Sequence, residues 1–336
     1  MPTPALSPFV LSLILAATVT AQSKLDPHLV FAGKEGPGKG KHIVLIAGDE
    51  EYRSEEAMPM LGRLLADRHG FKCTVLFSLN PETGDIDPSN QTFIPGLEAL
   101  KTADMAVVFL RFREFPDADM KHFDDFVKTG KPIYGIRTST HAFQYRRKKD
   151  SPYRKYHFRA KEWARGFGGM ILGDTWVNHH GHHGSQSTRG VPDEAHKDHP
   201  VLHGVKDVWG PTDVYGVRNL PKDAKVLLRG QVLEGMKPDS APLAGKKNDP
   251  MMPLVWVREF ENPYGKKARS ICSTIGASQD FASAGLRRVA VNACYWGLGL
   301  DVPQAANVEI VGTYEPLRFG FGRFRKGVRP SHFVPK

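Results

Sequence analysis

The feature that most constrains the fold is an alternation of short apolar segments with amphipathic ones, beginning at residue 41. Residues 42–47, 73–77, 105–110 and 132–136 have the length and composition of buried strands. Helical spacing of apolar residues lies between them, at 54–70 and 116–129. Because strands that alternate with helices pair in parallel through right-handed crossovers, this order predicts an α/β fold with a mostly parallel sheet.

The regular pattern stops near residue 145 and returns at 254–260, 269–275 and 284–298. Between about 145 and 249, Gly, Pro, His and Lys dominate. We interpret this stretch as a long, loop-rich excursion from one α/β domain that covers residues 41–302. Residues 22–40 are then a linker, and residues 303–336 form a basic C-terminal extension.

The N-terminus carries the one long apolar run of the chain, residues 9–21, which ends in the small residues Val19, Thr20 and Ala21. The run is too short to span a bilayer comfortably and ends as a cleavage site should. Residues 1–21 are therefore predicted to be a signal peptide, and the protein is predicted to be exported to the periplasm or the extracellular space. No later segment is apolar for long enough to predict a membrane span.

Charge and cysteine content narrow the choice of ligand. The chain has 46 Lys and Arg against 36 Asp and Glu, a net charge of +10. An exported protein meets little nucleic acid, so we expect no nucleic-acid partner and favour a sugar or glycoside, including anionic ones. Cys73, Cys272 and Cys294 lie in apolar segments without paired spacing, which is typical of core residues rather than nucleophiles or metal ligands.

Polar side chains follow the predicted strands where each strand ends, and ligands of open α/β sheets bind at this edge. As catalytic candidates we take Asp49, Glu50 and His141, and as substrate-binding candidates Arg53, Arg111, Arg137, Ser139 and Gln279. Carboxylates and imidazole suit acid–base chemistry, and guanidinium groups suit anionic or polyhydroxyl ligands. The alternative is structural: these residues cap turns and pair with one another.

A second group of candidates lies in residues 176–190, where four histidines flank Gly181. His179 and His180 are catalytic candidates, and His180, His182 and His183 are candidate ligands for a divalent metal, zinc first. Histidines three apart, 179 with 182 or 180 with 183, could turn toward one ion, with Asp49, Glu50 or Asp213 as a further ligand. The alternative is direct contact with substrate and no metal. Arg189 is added as a substrate-binding candidate.

Three groups of motifs resemble the ThuA-like (trehalose-utilization) family over residues 41–302. They are Lys-Pro-Ile-Tyr-Gly-Ile-Arg-Thr-Ser-Thr-His-Ala-Phe at 131–143, Asp-His-Pro-Val-Leu-His-Gly-Val at 198–205 with Thr-Asp-Val-Tyr at 212–215, and Ile-Gly-Ala-Ser-Gln-Asp-Phe at 275–281. The resemblance implies a flavodoxin-like, doubly wound sheet of the class I glutamine amidotransferase type. It also implies a role in sugar metabolism, including oxidised (keto) disaccharides, and adds Asp213 and Tyr215 as substrate-binding candidates.

The chain departs from related patterns at three places, one of which is Val214, where the ThuA-like Asp-Glu-x-Tyr pattern has Glu. Arg137 stands where amidotransferases present a Cys nucleophile, so thiol acyl chemistry and glutamine amidotransfer are not expected. Gly276-Ala277 replaces the Gly-His pair common in ThuA-like proteins, which shifts any histidine role to His141 or to residues 179–183.

Two functions of different classes remain. The first is an exported hydrolase, lyase or isomerase of a sugar derivative that uses His and carboxylate acid–base chemistry, with metal assistance as an option. The second is a non-catalytic carbohydrate-binding module in which Trp176, Trp209 and Tyr215 stack on the sugar. A hydrolase with Ser139 as nucleophile is a weaker third, because the Gly-x-Ser-x-Gly frame is absent.

Overall fold

The computed structural model describes Met1 and residues 27–334, so apart from Met1 the predicted signal peptide lies outside the described residues. Three α-helices are α1 (Ser54–His69), α2 (Asp117–Lys128) and α3 (Ala284–Gly297). Each agrees with a helix predicted from sequence to within one or two residues. In the part of the chain that the structure describes, none of the helices combines the length and apolar character that crossing a membrane requires.

Within residues 27–334, ten strands form one sheet. They are β1 (His28–Phe31), β2 (His42–Gly48), β3 (Lys72–Phe77), β4 (Met105–Leu110), β5 (Ile133–Ile136), β6 (Thr188–Pro192), β7 (Trp209–Gly210), β8 (Ala224–Val232), β9 (Met252–Glu261) and β10 (Lys267–Ser273). Their spatial order is β1-β3-β2-β4-β5-β10-β9-β8-β6-β7.

The parallel part of the sheet is its centre. Strands β3, β2, β4, β5 and β10 pair in parallel, and numbered among themselves they run 2-1-3-4-5. Every other pair is antiparallel, with β1 on one side and β9, β8, β6 and β7 on the other. The sheet as a whole is therefore mixed, and the predicted mostly parallel arrangement holds only for these five strands.

Helices cover both faces of the central strands because successive strand residues alternate between the faces. On one face Ile43 and Leu45 of β2 belong to a core that includes α1 and α3. On the other face Val44 and Ile46 pack with α2 and with aromatic residues after β5. Burial of both faces explains why β4 and residues 43–47 of β2 are apolar without interruption.

The excursion is more regular than its sequence indicates. Strands β6, β7 and β8 lie within residues 145–249 and extend the sheet past β9. Residues 22–40, predicted to be a linker, contain β1, which pairs with β3. Cys73, Cys272 and Cys294 are buried and unbridged, as the sequence predicts.

Candidate functional site

The candidate site lies where β2, β4, β5 and β10 end, with residues 176–183 of the excursion folded back over this edge. An ion pair joins the excursion to the central sheet: Arg137, which follows β5, contacts Asp213 of the excursion. Thr138, the second residue after β5, donates to Asp49 beyond β2, with Oγ1 2.5 Å from Oδ2. Residues more than 160 positions apart in the chain thus share one polar cluster, as the strand-end rule predicts.

Asp213 is the centre of that cluster. Its side chain is fully buried, and both carboxylate oxygens accept hydrogen bonds from histidines. Nδ1 of His179 lies 2.7 Å from Oδ2, and Nδ1 of His183 lies 3.1 Å from Oδ1. Burial works to raise the pKa of Asp213, but the two imidazoles and the Arg137 charge hold that pKa well below its usual range.

The two imidazoles reach the surface while their carboxylate does not. The side chains of His179 and His183 are each 35% exposed. Their rings lie 4.9 Å apart between centroids, and Tyr215 packs edge-on against His179. Asp213 accepts a hydrogen bond from Nδ1–H of each ring, which fixes the tautomer and leaves Nε2 as the acceptor atom.

Arg137 anchors Asp213 from within. Its guanidinium is completely buried, lies between the rings of Tyr52 and Tyr215, and donates to the carbonyl of Thr274 at 2.8 Å. Its φ of 45° places it in the left-handed region, in the tight turn that follows β5. Burial lowers the pKa of Arg137, but Tyr215, Tyr52 and Asp213 together raise it well above the ordinary value. Predicted to bind substrate, Arg137 is instead enclosed by protein.

His141 lies behind the two exposed histidines in an aromatic enclosure. Its ring contacts Phe112, Trp176 and Tyr215, and Nδ1 is 3.2 Å from Oγ1 of Thr140. Burial and the nearby charges of Arg111 and Arg137 hold the pKa of His141 well below its usual value. A buried, neutral His141 shapes the floor of the site.

Asp49 and Glu50, the acidic candidates after β2, make contacts that stabilise the strand-end edge of the sheet. Asp49 Oδ1 accepts from the backbone N–H groups of Glu51 and Tyr52, which shapes the turn before α1. Glu50 pairs with both Arg111 and Arg113. These contacts match the structural alternative considered for Asp49, Glu50 and Arg111, although Arg111 keeps 18% of its side chain exposed at the rim.

Glu51 is a site residue that the sequence reasoning missed. Its carboxylate lies 3.5 Å from Nε2 of His183 and 3.5 Å from Nε of Arg111. Burial and the neighbouring Asp49 charge raise the pKa of Glu51. Its position in the same acidic turn as Asp49 and Glu50 was the available signal.

The C-terminal extension forms one wall of the site, which no sequence motif indicated. Phe319 is buried with its ring centroid 5.1 Å from that of His183 and 5.7 Å from that of Tyr52. Phe321 is 58% exposed and lies over the guanidinium of Arg111. Arg53, a predicted substrate ligand, is buried and donates to the carbonyls of Arg318 and Gly320, so it fastens this wall.

Other predicted site residues have separate partners. His180 bonds through Nε2 to the carbonyl of Lys247 at 2.8 Å, and His182 is exposed outside the cluster. Arg189 donates to the carbonyl of Pro238 at 2.5 Å. Gln279 accepts from the backbone N–H of Phe319 at 3.4 Å, and the hydroxyl of Ser139 donates to the carbonyl of Val108 at 2.6 Å.

The residues that converge as candidate metal ligands are His179, His183 and Asp213, whose donor atoms all lie within 4.8 Å of one another. The predicted set was His180, His182 and His183. Only His183 is common to both, and the histidines that face one another are four residues apart rather than three. The third candidate is Asp213, one of the three carboxylates considered from the sequence.

Comparison with known proteins gives no match to any family model and none to any curated protein. Among solved structures, the chain is similar to a ThuA-like protein from Parabacteroides merdae, with 12% identity, 79% of this chain and 92% of that chain covered, and a TM-score of 0.49. It is also similar to a ThuA-like protein from Bacteroides uniformis, with 16% identity, 79% of this chain and 93% of that chain covered, and a TM-score of 0.47. A third similar structure is the N-terminal domain of IFT52, with 11% identity, 78% of this chain and 100% of that chain covered, and a TM-score of 0.41.

Two of these three structures are ThuA-like, the family that the sequence motifs resemble. What the chain does is argued below from its own side chains.

Proposed function

We propose that this protein is an exported ThuA-like enzyme that acts on a sugar or glycoside, including an oxidised disaccharide, by acid–base chemistry. The observation that carries the proposal is the sharing of one buried carboxylate, Asp213, by two partly exposed imidazoles at the strand ends. The proposal includes a flavodoxin-like, doubly wound relationship for the central strands, supported by their 2-1-3-4-5 order and by helices on both faces.

The cluster of His179, Asp213 and His183 is the proton-accepting centre in this proposal. Asp213 holds each Nδ1–H, so the lone pair at Nε2 of each ring is directed away from the carboxylate. Such a centre removes a proton from a hydroxyl, from water or from a carbon beside a carbonyl. The cation that meets developing negative charge is Arg111 at the rim, because Arg137 is enclosed.

Aromatic side chains around the cluster favour a ring-shaped ligand. Trp176 lies 5.9 Å from His179 between ring centroids, and Phe112 and Phe321 lie on the Arg111 guanidinium. Aromatic faces combined with charged and hydrogen-bonding groups suit the apolar faces and hydroxyls of a sugar. Trp209, considered as a stacking residue, donates to Ser187 away from the cluster.

The test is a turnover assay on tag-free protein lacking residues 1–21. Keto-disaccharides and their parent disaccharides are offered separately, and products are followed by NMR. His179→Asn is expected to lower turnover by about 10²–10⁴-fold, the usual range for a lost acid–base group. His182→Asn is the matched control, because His182 is exposed and outside the cluster.

The same assay separates the enzyme from a carbohydrate-binding module. Saturable sugar binding with no product from any substrate would favour the binding module. Turnover that is equally fast in the His179 and His182 variants would refute the cluster as reactive centre. Export is tested separately from activity. The full-length chain is expected in the exported fraction of cells, and a chain of residues 22–336, which lacks the predicted signal peptide, is expected to remain inside.

A further inference from the structure

Nδ1 of His179, Nδ1 of His183 and the carboxylate of Asp213 converge on a small volume. An ion bound there would replace the two Nδ1 protons, and each ring would then carry its proton at Nε2. Their donor atoms lie within 4.8 Å of one another, with the closest histidine-to-carboxylate separations at 2.7 and 3.1 Å. Tetrahedral ligands about 2.1 Å from a zinc ion lie roughly 3.4 Å from one another. The two histidine-to-carboxylate separations lie within about 0.7 Å of that value, and rotation of the two imidazoles toward each other would complete the set.

The chemistry of the three donors fits a particular class of ion. Two imidazoles and one carboxylate are the protein ligands of many catalytic zinc sites, which leave a fourth position open. Ions such as Mg²⁺ and Ca²⁺ prefer all-oxygen surroundings and suit this set less well. Because each histidine side chain is 35% exposed, an ion has an entry path and solvent reaches the open position.

The surrounding charges also permit a cation. The positive guanidinium of Arg137, 3.1 Å from Asp213, repels a cation bound there. The carboxylates of Glu51, Asp49 and Glu50 lie on the same edge, and Glu51 lies 3.5 Å from Nε2 of His183. With Asp213, four carboxylates face the three guanidinium groups of Arg111, Arg113 and Arg137, so a divalent ion meets a site in which negative groups are in excess.

We propose that His179, His183 and Asp213 bind one divalent cation of the zinc type, with a fourth position open to water or to an oxygen of the substrate. The purpose of the site rests on the proposed function, but ion binding can be measured without a substrate. Such an ion would lower the pKa of a bound water, and the resulting hydroxide would be the base of the metal-loaded site in place of a free Nε2.

The experiment is a titration of tag-free, chelator-stripped protein with Zn²⁺ by calorimetry and with Co²⁺ by visible absorption. Wild-type protein is expected to bind one equivalent and to show the absorption of nitrogen- and oxygen-coordinated Co²⁺. Loss of a direct ligand in His183→Asn or Asp213→Asn is expected to weaken binding by more than the roughly 10–100-fold that outer-shell changes cause. The His182→Asn control is expected to bind as wild type does.

Thermal unfolding provides a second readout. Zn²⁺ is expected to raise the unfolding midpoint of wild type and of the His182 variant but not of His183→Asn. Because Asp213→Asn also removes a buried ion-pair partner, His183→Asn, whose side chain is partly exposed, is the variant that decides the question if Asp213→Asn does not fold.

Two results overturn the inference. One is failure of wild-type protein to bind either ion. The other is equal binding by wild type and every variant, which would assign the ion to surface histidines. Sugar turnover without any ion binding would refute the metal site and leave the proposed function standing. Stoichiometric ion binding without turnover would support the metal site and count against the proposed function.

Discussion

Arg137 donates twice to Asp213, through Nη2 to Oδ1 at 3.1 Å and through Nη1 to the backbone carbonyl at 3.2 Å. Both side chains are fully buried. The contact joins the turn after β5 to the excursion, so the same residue that supports the two imidazoles is also fixed to the central sheet. Site geometry and fold stability are therefore coupled at this pair.

The first prediction concerns that coupling. Arg137→Met or Asp213→Asn alone is expected to lower the free energy of unfolding by about 3–5 kcal/mol, because each leaves a buried partner uncompensated. The double variant is expected to lose at least about 1 kcal/mol less than the sum of the single losses. Urea unfolding of wild type, the two single variants and the double variant gives the interaction energy between the two residues. Strict additivity would show that the two residues contribute independently.

The second prediction concerns Glu55, a buried carboxyl at the start of α1 whose nearest charge is Nη1 of Arg53 at 3.5 Å. Burial raises the pKa of Glu55 to about 8, and the Arg53 charge offsets this only in part. The folded state then holds a proton that the unfolded chain releases near its ordinary pKa. The stabilising contribution is complete below about pH 4 and is lost as the pH rises to about 8.

Replacement of Glu55 by Gln removes this titration. From about pH 6 to about pH 9, wild type is expected to lose roughly 2–3 kcal/mol of unfolding free energy relative to Glu55→Gln. Glu35→Gln is the control, since Glu35 is exposed and pairs with Lys39 at the surface. Parallel pH profiles for wild type and Glu55→Gln would contradict the raised pKa.

The third prediction separates the two phenylalanines of the C-terminal wall. Phe319→Ala is expected to lower the free energy of unfolding by about 3–5 kcal/mol, because the ring is buried against Tyr52 and His183. Phe321→Ala is expected to change it by less than about 0.5 kcal/mol, because that ring is largely exposed. Thermal and urea unfolding compare them. Equal losses would mean that the wall does not pack as described.

The central strands and all three helices could be predicted because their signals are local. Strand β4 is an uninterrupted apolar run, and α1 begins at Ser54 and ends before Gly70 at nearly the predicted residues. The edge strands gave weaker signals. Residues 188–192 contain Arg189 and Gly190 and are only partly buried, so β6 lacks the apolar pattern on which strand prediction depends.

For the site, the sequence identified the edge and the histidine segment but not the roles of individual side chains. Whether a strand-end residue faces solvent or protein depends on tertiary contacts. Arg53 and Arg137 are buried because the C-terminal extension and the excursion cover them, and neither contact follows from local sequence. The choice of His179 and His183 over their neighbours depends on where Asp213 lies.

The last prediction concerns Ser139, which the sequence indicates as a substrate ligand or nucleophile. Its hydroxyl donates to the carbonyl of Val108 at 2.6 Å and accepts from the N–H of Leu110 at 3.2 Å, in full burial. Both bonds run to β4, so the hydroxyl joins the turn after β5 to the neighbouring strand.

Ser139→Ala leaves both backbone groups of β4 without that partner, and a cost of about 1–3 kcal/mol in unfolding free energy is expected. Turnover per folded molecule and Zn²⁺ affinity are expected to match wild type, because the hydroxyl has no contact with the histidine cluster. Ser185→Ala, in an exposed part of the excursion, is the control for stability. A variant that keeps its stability but loses turnover would instead make Ser139 a participant in the chemistry.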